Sequence, residues 1–221
     1  MLWLALRFAS LPLEVYARAV RNDAGRASPL AVASSKGTQA EIVACNEAAQ
    51  RRGETRALPL PAASPLPSDL KIVPRDTAAE NAALERIAAW SIQFTPAVSI
   101  AQPDEVLLEI AGSLTLFGGL KGLWNAVAEG LCGLGYGASM ACAPTPLAAQ
   151  WFTRARLAVR VRHADALDAS LPELPLEVMQ MTEATILLHD IGARTVGDCL
   201  VLPRDGLARR LGPDFIDALD R

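Results

Sequence analysis

Lysine is nearly missing from this chain. Of 21 basic residues only Lys36, Lys71 and Lys121 are lysine, and the net charge is −3. No overall basic field exists to draw in nucleic acid, so any such contact must come from local patches. The arginine bias is what a GC-rich genome produces; arginine also suits phosphate geometry, and composition does not separate the two causes. Cys45, Cys132, Cys142 and Cys199 are scattered without a C-x-x-C pair. That excludes the common zinc and redox motifs and predicts reduced core cysteines. His163 and His189 have no second His or Cys at metal-ligand spacing. The apolar N-terminus is short and broken by Arg7 and Glu14, which argues against a signal peptide or a membrane span. Nowhere is there a G-x-G-x-x-G after a strand, a P-loop, a G-x-S-x-G or an H-E-x-x-H.

What is present is a globular composition, 51% hydrophobic and 20% charged over 221 residues. The first strand organises the rest. Leu2-Trp3-Leu4-Ala5-Leu6-Arg7-Phe8 alternates with period two. Leu2, Leu4, Leu6 and Phe8 form an apolar face; Trp3, Ala5 and Arg7 form an opposite, open face. A short helix over about 12–21 follows, then a loop at 21–25. Leu30-Ala31-Val32 and Ile42-Val43-Ala44-Cys45 read as hairpin partners around a polar tip, Ser34-Ser35-Lys36-Gly37. Asn46 is placed to cap a helix from Glu47 to Arg52 that stops at Gly53. Four prolines within 57–68, Pro59, Pro61, Pro65 and Pro67, exclude a regular element there.

Lys71–Pro74 reads as a strand. Asp76 or Thr77 then caps a helix with Leu84, Ile87, Ala88 and Ser91 on one face and Glu80, Glu85 and Arg86 elsewhere. Strands at Ala97–Ile100 and Val106–Ile110 are joined by Gln102-Pro103-Asp104-Glu105, whose Pro103 suits a tight turn. A helix over 120–133, a strand at Ala138–Ala143, a helix at Pro146–Thr153 and an alternating strand at Leu157–Arg162 follow. Beyond 164 come short helices with Pro and Gly stops. This order predicts an α+β fold with a ferredoxin-like core, a small mixed insertion over about 11–74 and a small helical domain after about 165.

Several phrases add to this order: Pro29-Leu30-Ala31-Val32; Ile42-Val43-Ala44-Cys45-Asn46 before a helix ending in Arg-Gly; Asp104-Glu105-Val106-Leu107-Leu108-Glu109; Ser113-Leu114-Thr115-Leu116-Phe117-Gly118-Gly119; Ala143-Pro144-Thr145-Pro146-Leu147-Ala148; and Ile191-Gly192-Ala193-Arg194-Thr195-Val196-Gly197-Asp198. With these the whole chain resembles the Y-family DNA polymerases, in particular the ImuB-like, catalytically degenerate relatives of the UmuC and DinB proteins. The resemblance implies a palm at 1–10 and 75–164, small α/β fingers at 11–74 and a helix-hairpin-helix-like thumb at 165–221. It implies that the family's little finger and C-terminal tail are absent from these 221 residues.

The departures from that family concern its chemistry. Active members carry an aspartate pair on the first strand; the matching positions are Ala5 and Arg7. The acid that opens the next helix is kept as Glu14, which is not a metal ligand. The tyrosine and arginine that hold a triphosphate correspond to Glu47 and Gln50, and a lysine after the last palm helix corresponds to about Leu157. The Pro-Gly-x-Gly of the thumb hairpin is missing around Met179–Thr182.

Nucleotidyl transfer of this kind needs two metal ions about 3.5–4 Å apart, caged by carboxylates. Asp104 and Glu105 are the candidate remnants of that cage, their alternative role being a solvated hairpin tip. A guanidinium at Arg7 would repel a cation 4 Å away by about 4 kcal/mol per unit charge at an effective dielectric of 20. No catalytic or metal-binding residue is therefore expected and no cofactor, magnesium entering only if the chain is an active error-prone polymerase. A third possibility is an unrelated helper with a ferredoxin-like core.

Candidate DNA-binding residues are Arg154, Arg156, Arg160 and Arg162, the densest basic cluster, and Arg209 and Arg210 near Gly212, whose backbone amide could meet a phosphate. The resemblance implies a cytoplasmic, nucleoid-associated role in damage-induced (SOS) mutagenesis, without a membrane. The implied partners are damaged primer–template DNA, the sliding clamp, a RecA-like accessory protein and an error-prone C-family polymerase.

Overall fold

The structure, a computed structural model, describes residues 1–17, 28–34, 41–51 and 70–220. The end of the 12–21 helix, the 35–37 part of the polar tip, the Arg52-Gly53 stop and the proline-rich 57–68 stretch lie outside the described residues. By its internal contacts the chain divides into two compact units. One comprises 1–7, 90–128 and 138–221; the other comprises 8–89 and 129–137.

The first unit holds a four-stranded antiparallel sheet in the order β5-β6-β1-β7. Its strands are β1 (Trp3–Arg7), β5 (Val98–Ala101), β6 (Glu105–Glu109) and β7 (Ser139–Ala143). With α3 (Thr77–Ser91) and α4 (Leu120–Gly133) between them in sequence, the chain order is βαββαβ, the predicted ferredoxin-like arrangement. Register puts Arg7 opposite Glu105 and Ser139, Ala5 opposite Leu107 and Ala141, and Trp3 opposite Glu109 and Ala143. Cross-strand partners share a face, so Arg7, Ala5 and Glu105 lie on one side of the sheet and Leu4, Leu6, Val106 and Leu108 on the other.

The side of β1 read as open is covered. Helix α5 (Pro146–Arg154), with Pro146 in its first turn and Thr145 Oγ1 accepting from the Ala148 amide at 3.3 Å, packs on it. Ala5 is fully enclosed in a cluster with Leu107, Ala141, Ala148, Ala149, Trp151 and Phe152. Small residues at 5, 141, 148 and 149 let helix and sheet approach closely. The same cluster continues into the helical part: α6 (Asp165–Ser170), a 3-10 turn at Leu176–Met179, α7 (Thr182–Asp190), α8 (Val196–Leu200), α9 (Arg204–Leu211) and α10 (Pro213–Asp220). Helix α8 begins with a capping box made by Thr195 and Asp198.

In the second unit β2 (Leu30–Ala33) pairs antiparallel with β3 (Ile42–Cys45) and parallel with β4 (Lys71–Pro74). Asn46 caps α2 (Glu47–Gln50) by accepting from the Ala49 amide at 3.0 Å, and Asp76 accepts from Ala79 at 2.9 Å at the start of α3. Helix α1 (Leu11–Ala17) presents Glu14 Oε1 to the Gly137 amide at 2.9 Å. The expected placement of Glu80 away from the apolar face of α3 does not hold. Glu80 is buried, because 80, 84, 87 and 91 form one stripe of α3. Both its carboxylate oxygens are held by Arg75, Nη2 lying 2.7 Å from Oε2.

Leu157–Arg162 is not a strand. It meets β7 at one residue, through Cys142 N to Val159 O and Val161 N to Cys142 O, both 2.9 Å. The alternation reported sidedness rather than a ladder: Val159 and Val161 pack inward on the core, while Arg160 and Arg162 are exposed. Cys45, Cys142 and Cys199 are buried as expected, but Cys132 is exposed. Burial pushes the Cys142 thiol up to about 12, against the opposing pull of Arg160 and Arg162. Among the described residues no helix is long and apolar enough to cross a membrane.

Candidate functional site

The two acids of the β5–β6 turn are not a solvated tip. Glu105 is 1% exposed. As the first residue of β6 it stands on the Arg7 face of the sheet, where α5 brings two partners to it. Gln150 and Arg154 are four residues apart, on one face of that helix. Arg154 Nε lies 2.9 Å from Glu105 Oε1 and Nη2 lies 2.8 Å from Oε2, a bidentate pair. Gln150 Nε2 donates to Oε2 at 2.6 Å. The remaining arm of Arg154 reaches Val178 O at 3.0 Å, tying the Leu176–Met179 turn to the start of β6.

Asp104 has its own cation. Arg7 Nε lies 3.1 Å from Asp104 Oδ2, and Arg7 Nη1 lies 3.5 Å from the Arg154 carbonyl. Asp104 Oδ1 is buried and has no partner among the described residues. The cluster is thus two carboxylates and two guanidiniums, with formal charges that cancel. All four groups are at least four-fifths buried, so solvent screens these attractions weakly.

This donor set does not fit a magnesium ion. A cage needs uncompensated carboxylates on more than one strand. Here each acid is already neutralised, and the remaining first-strand position is the enclosed methyl group of Ala5. A divalent ion would have to displace both guanidiniums, each repelling it by about 8 kcal/mol at 4 Å and an effective dielectric of 20. Among the described residues no three His, Cys, Asp or Glu side chains are grouped to hold a metal.

The two positions matched to triphosphate binding are also committed elsewhere. Glu47 forms an exposed ion pair with Arg51 at 2.6 Å, and Gln50 Nε2 donates to Cys45 O at 3.1 Å. The basic cluster separates in the same way. Arg154 is spent on Glu105, whereas Arg156, Arg160 and Arg162 are exposed. Arg160 stacks on the Trp124 ring, 4.3 Å from its centroid. Arg209 and Arg210 lie exposed in the last turn of α9. The Gly212 amide beside them is not free for a phosphate: it donates to Ala208 O at 3.1 Å and closes the helix.

Sequence reasoning did not find Gln150 and Arg154 as the partners of Glu105. Their i, i+4 spacing was visible; their target, 45 and 49 residues earlier, depended on the seating of α5 on the sheet.

The comparisons with known proteins agree with this fold. The model of the impB/mucB/samB family matches residues 14–154. Protein ImuB of Caulobacter vibrioides, from strains NA1000 and CB 15, is 32% identical over 154 residues. The match covers 69% of this chain but 34% of that protein, so the chain spans about a third of the length of these curated relatives. Among solved structures, DinB from Sulfolobus solfataricus superposes with a TM-score of 0.74 at 17% identity, over 100% of this chain and 67% of that one. The post-insertion binary complex of Dbh DNA polymerase gives 0.77 at 17% identity, over 100% of this chain and 65% of that one. At such identity these structures establish the fold alone, the mixed α+β fold of Y-family polymerases. Together with the family match over more than half its length, they show that the chain belongs to the impB/mucB/samB family.

Proposed function

We propose that this chain is a non-catalytic, polymerase-shaped DNA-binding adaptor in damage-induced translesion synthesis. The observation that carries this reading is the neutral four-residue cluster: Arg7 and Arg154 already neutralise Asp104 and Glu105 and leave no free carboxylate pair for a cation. In this reading 1–10 and 75–164 serve as palm, 11–74 as fingers and 165–221 as thumb. The exposed Arg156, Arg160, Arg162, Arg209 and Arg210 follow the primer–template backbone, reading charge and not sequence. Catalysis is supplied by a separate error-prone C-family polymerase, recruited with the sliding clamp and a RecA-like accessory protein in the bacterial cytoplasm. The family match and the likeness to ImuB support this setting.

One observation favours an active polymerase. Asp104 Oδ1 is a buried oxygen with no partner among the described residues, which is what a cation would use. The other oxygen of the same carboxylate is held by Arg7, which argues against it. Primer extension with Mg²⁺ or Mn²⁺ separates the readings. The adaptor shifts primer–template DNA in a gel and extends no primer. Template-directed incorporation that disappears in Asp104→Ala would overturn the proposal.

A further inference from the structure

Helix α7 is apolar on more sides than its packing uses. Ala184 and Leu188, one turn apart, are its buried face. Glu183, Ile186, Leu187 and Asp190 form a second stripe at i, i+3, i+4 and i+7, and all four are exposed. Ile186 is 56% and Leu187 49% exposed, so the stripe is an apolar pair with an acid at each end. Ile191, just past the helix, is 52% exposed. Large aliphatic side chains left open side by side mark a surface that another surface covers. Beside the stripe runs a groove between α7 and α9, made of two adjoining cavities of about 340 Å³ and about 410 Å³. Leu187, Leu211 and Arg210 line both; Leu207 and Ile191 extend the apolar wall of the larger one. The side chains of Arg210, Glu183 and Asp190 form no ion pair among the described residues.

We propose that this face is a self-association surface: α7 of a second copy of the chain lies along the α7–α9 groove, and the contact is returned across a two-fold axis. The argument is complementarity. An apolar groove with a single unpaired guanidinium calls for a helix that offers apolar side chains and a carboxylate. The chain carries that helix itself, on the edge of the same groove, in the Glu183-Ile186-Leu187-Asp190 stripe. A surface that presents both the groove and the ridge that fits it meets the condition for an isologous contact, in which each copy gives what the other takes. Ile186 and Leu187 of one copy then fill the cavities of the other, and Glu183 or Asp190 reaches Arg210. The DNA reading uses Arg210 as one of five cations and does not depend on this contact.

The test is sedimentation equilibrium of the full chain without DNA, from micromolar to near-millimolar concentration, with circular dichroism to check that each variant is folded. Wild type is expected to form a reversible dimer. Leu187→Glu puts a carboxylate into the wall shared by both cavities and should leave monomer only. Arg210→Glu in one chain, and Glu183→Arg with Asp190→Arg in another, each set like charges against each other and should weaken self-association about ten-fold or more. Mixing those two chains restores opposite charges across the axis, and dimer should return as a heterodimer. Neither a folding defect nor an interface elsewhere produces that recovery. A wild-type chain that stays monomeric throughout overturns the proposal and leaves the groove to a different protein or to another segment of the chain. A dimer that Leu187→Glu and both charge variants leave intact overturns it as well, as does a mixture no more associated than its two components.

Discussion

Replacing Glu105 by glutamine tests directly what the acid cluster is for. In a metal cage, carboxylates crowd one another when the ion is absent. Neutralising one relieves that repulsion, and the metal-free protein gains stability. In the present arrangement the sign is reversed. Glu105 is 1% exposed and accepts from Arg154 twice and from Gln150 once. A glutamine keeps one acceptor oxygen and turns an amide group toward the other donors. Arg154, whose side chain is 11% exposed, is left as a buried cation with the Val178 carbonyl and half of its former partner. Hydrogen bonds to charged groups are worth about 1.5–3 kcal/mol each, and removing one member of a buried pair costs about 3–5 kcal/mol. We expect Glu105→Gln to lower unfolding free energy by about 3 kcal/mol, a large share of the 5–15 kcal/mol typical of a domain.

The assay is urea denaturation followed by tryptophan fluorescence, since Trp151 is buried on the same helix as Arg154. Millimolar Mg²⁺ should leave the midpoints of wild type and variant unmoved, because a ligand stabilises only what it binds. Arg154→Met alone should be about as damaging. The pair Glu105→Met with Arg154→Met should recover much of the loss, since a well-packed apolar pair replaces a buried ion pair at little cost. A neutral or stabilising Glu105→Gln, or a wild-type chain that Mg²⁺ stabilises through Glu105, would refute the reasoning.

Arg160→Ala combined with Arg162→Ala should weaken binding to unrelated DNA sequences equally and reduce the salt slope by about 1.8, measured by anisotropy titration; an unchanged slope would count against the basic edge as an interface. Asp198 offers a pH test. Backbone hydrogen bonds from Arg194 first and Thr195 second hold its carboxyl below the ordinary value of 3.8, partly opposed by desolvation. A depressed folded value means its contribution is present above about pH 3.8 and is lost as pH falls through that lower value. Asp198→Asn should therefore melt below wild type at neutral pH, with the gap closing in acid; a gap that persists at pH 2 would contradict this.

The elements were legible because their signals are local. Period-two alternation located β1, and Asn46 and Asp76 announced the helices they cap. The order βαββαβ followed without any tertiary information. What could not be read were consequences of seating one element on another. Ala5 looked exposed because alternation assigns a side without saying whether a helix lies on that side. Glu80 was placed off the apolar face because it is charged, although it shares a stripe with Leu84 and Ile87; its pairing with Arg75 makes the burial tolerable. The Gly212 amide looked available because sequence shows a glycine after a helix but not that Ala208 O has claimed its proton.

The vacancy at position 5 invites the idea that one substitution would rebuild a metal site, and the packing argues that it would not. Ala5→Asp places a carboxylate inside a cluster lined by Leu107, Ala141, Ala149 and Phe152, with no donor provided for it. The charge is uncompensated and the added volume has no room, costs of about 3–5 kcal/mol and about 1–3 kcal/mol from separate sources. Arg7 and Arg154 meanwhile continue to hold Asp104 and Glu105. The variant should be strongly destabilised, and Mg²⁺ should not restore it. An Ala5→Asp protein with wild-type stability that gains a Mg²⁺-dependent shift in its urea midpoint would show that helix α5 yields easily and that the cation site is latent. On the geometry described, three elements stand against a cation at once: a small residue on β1 that admits α5, the guanidinium that α5 delivers to β6, and the guanidinium at the end of β1. Changing any one of them leaves the other two in place.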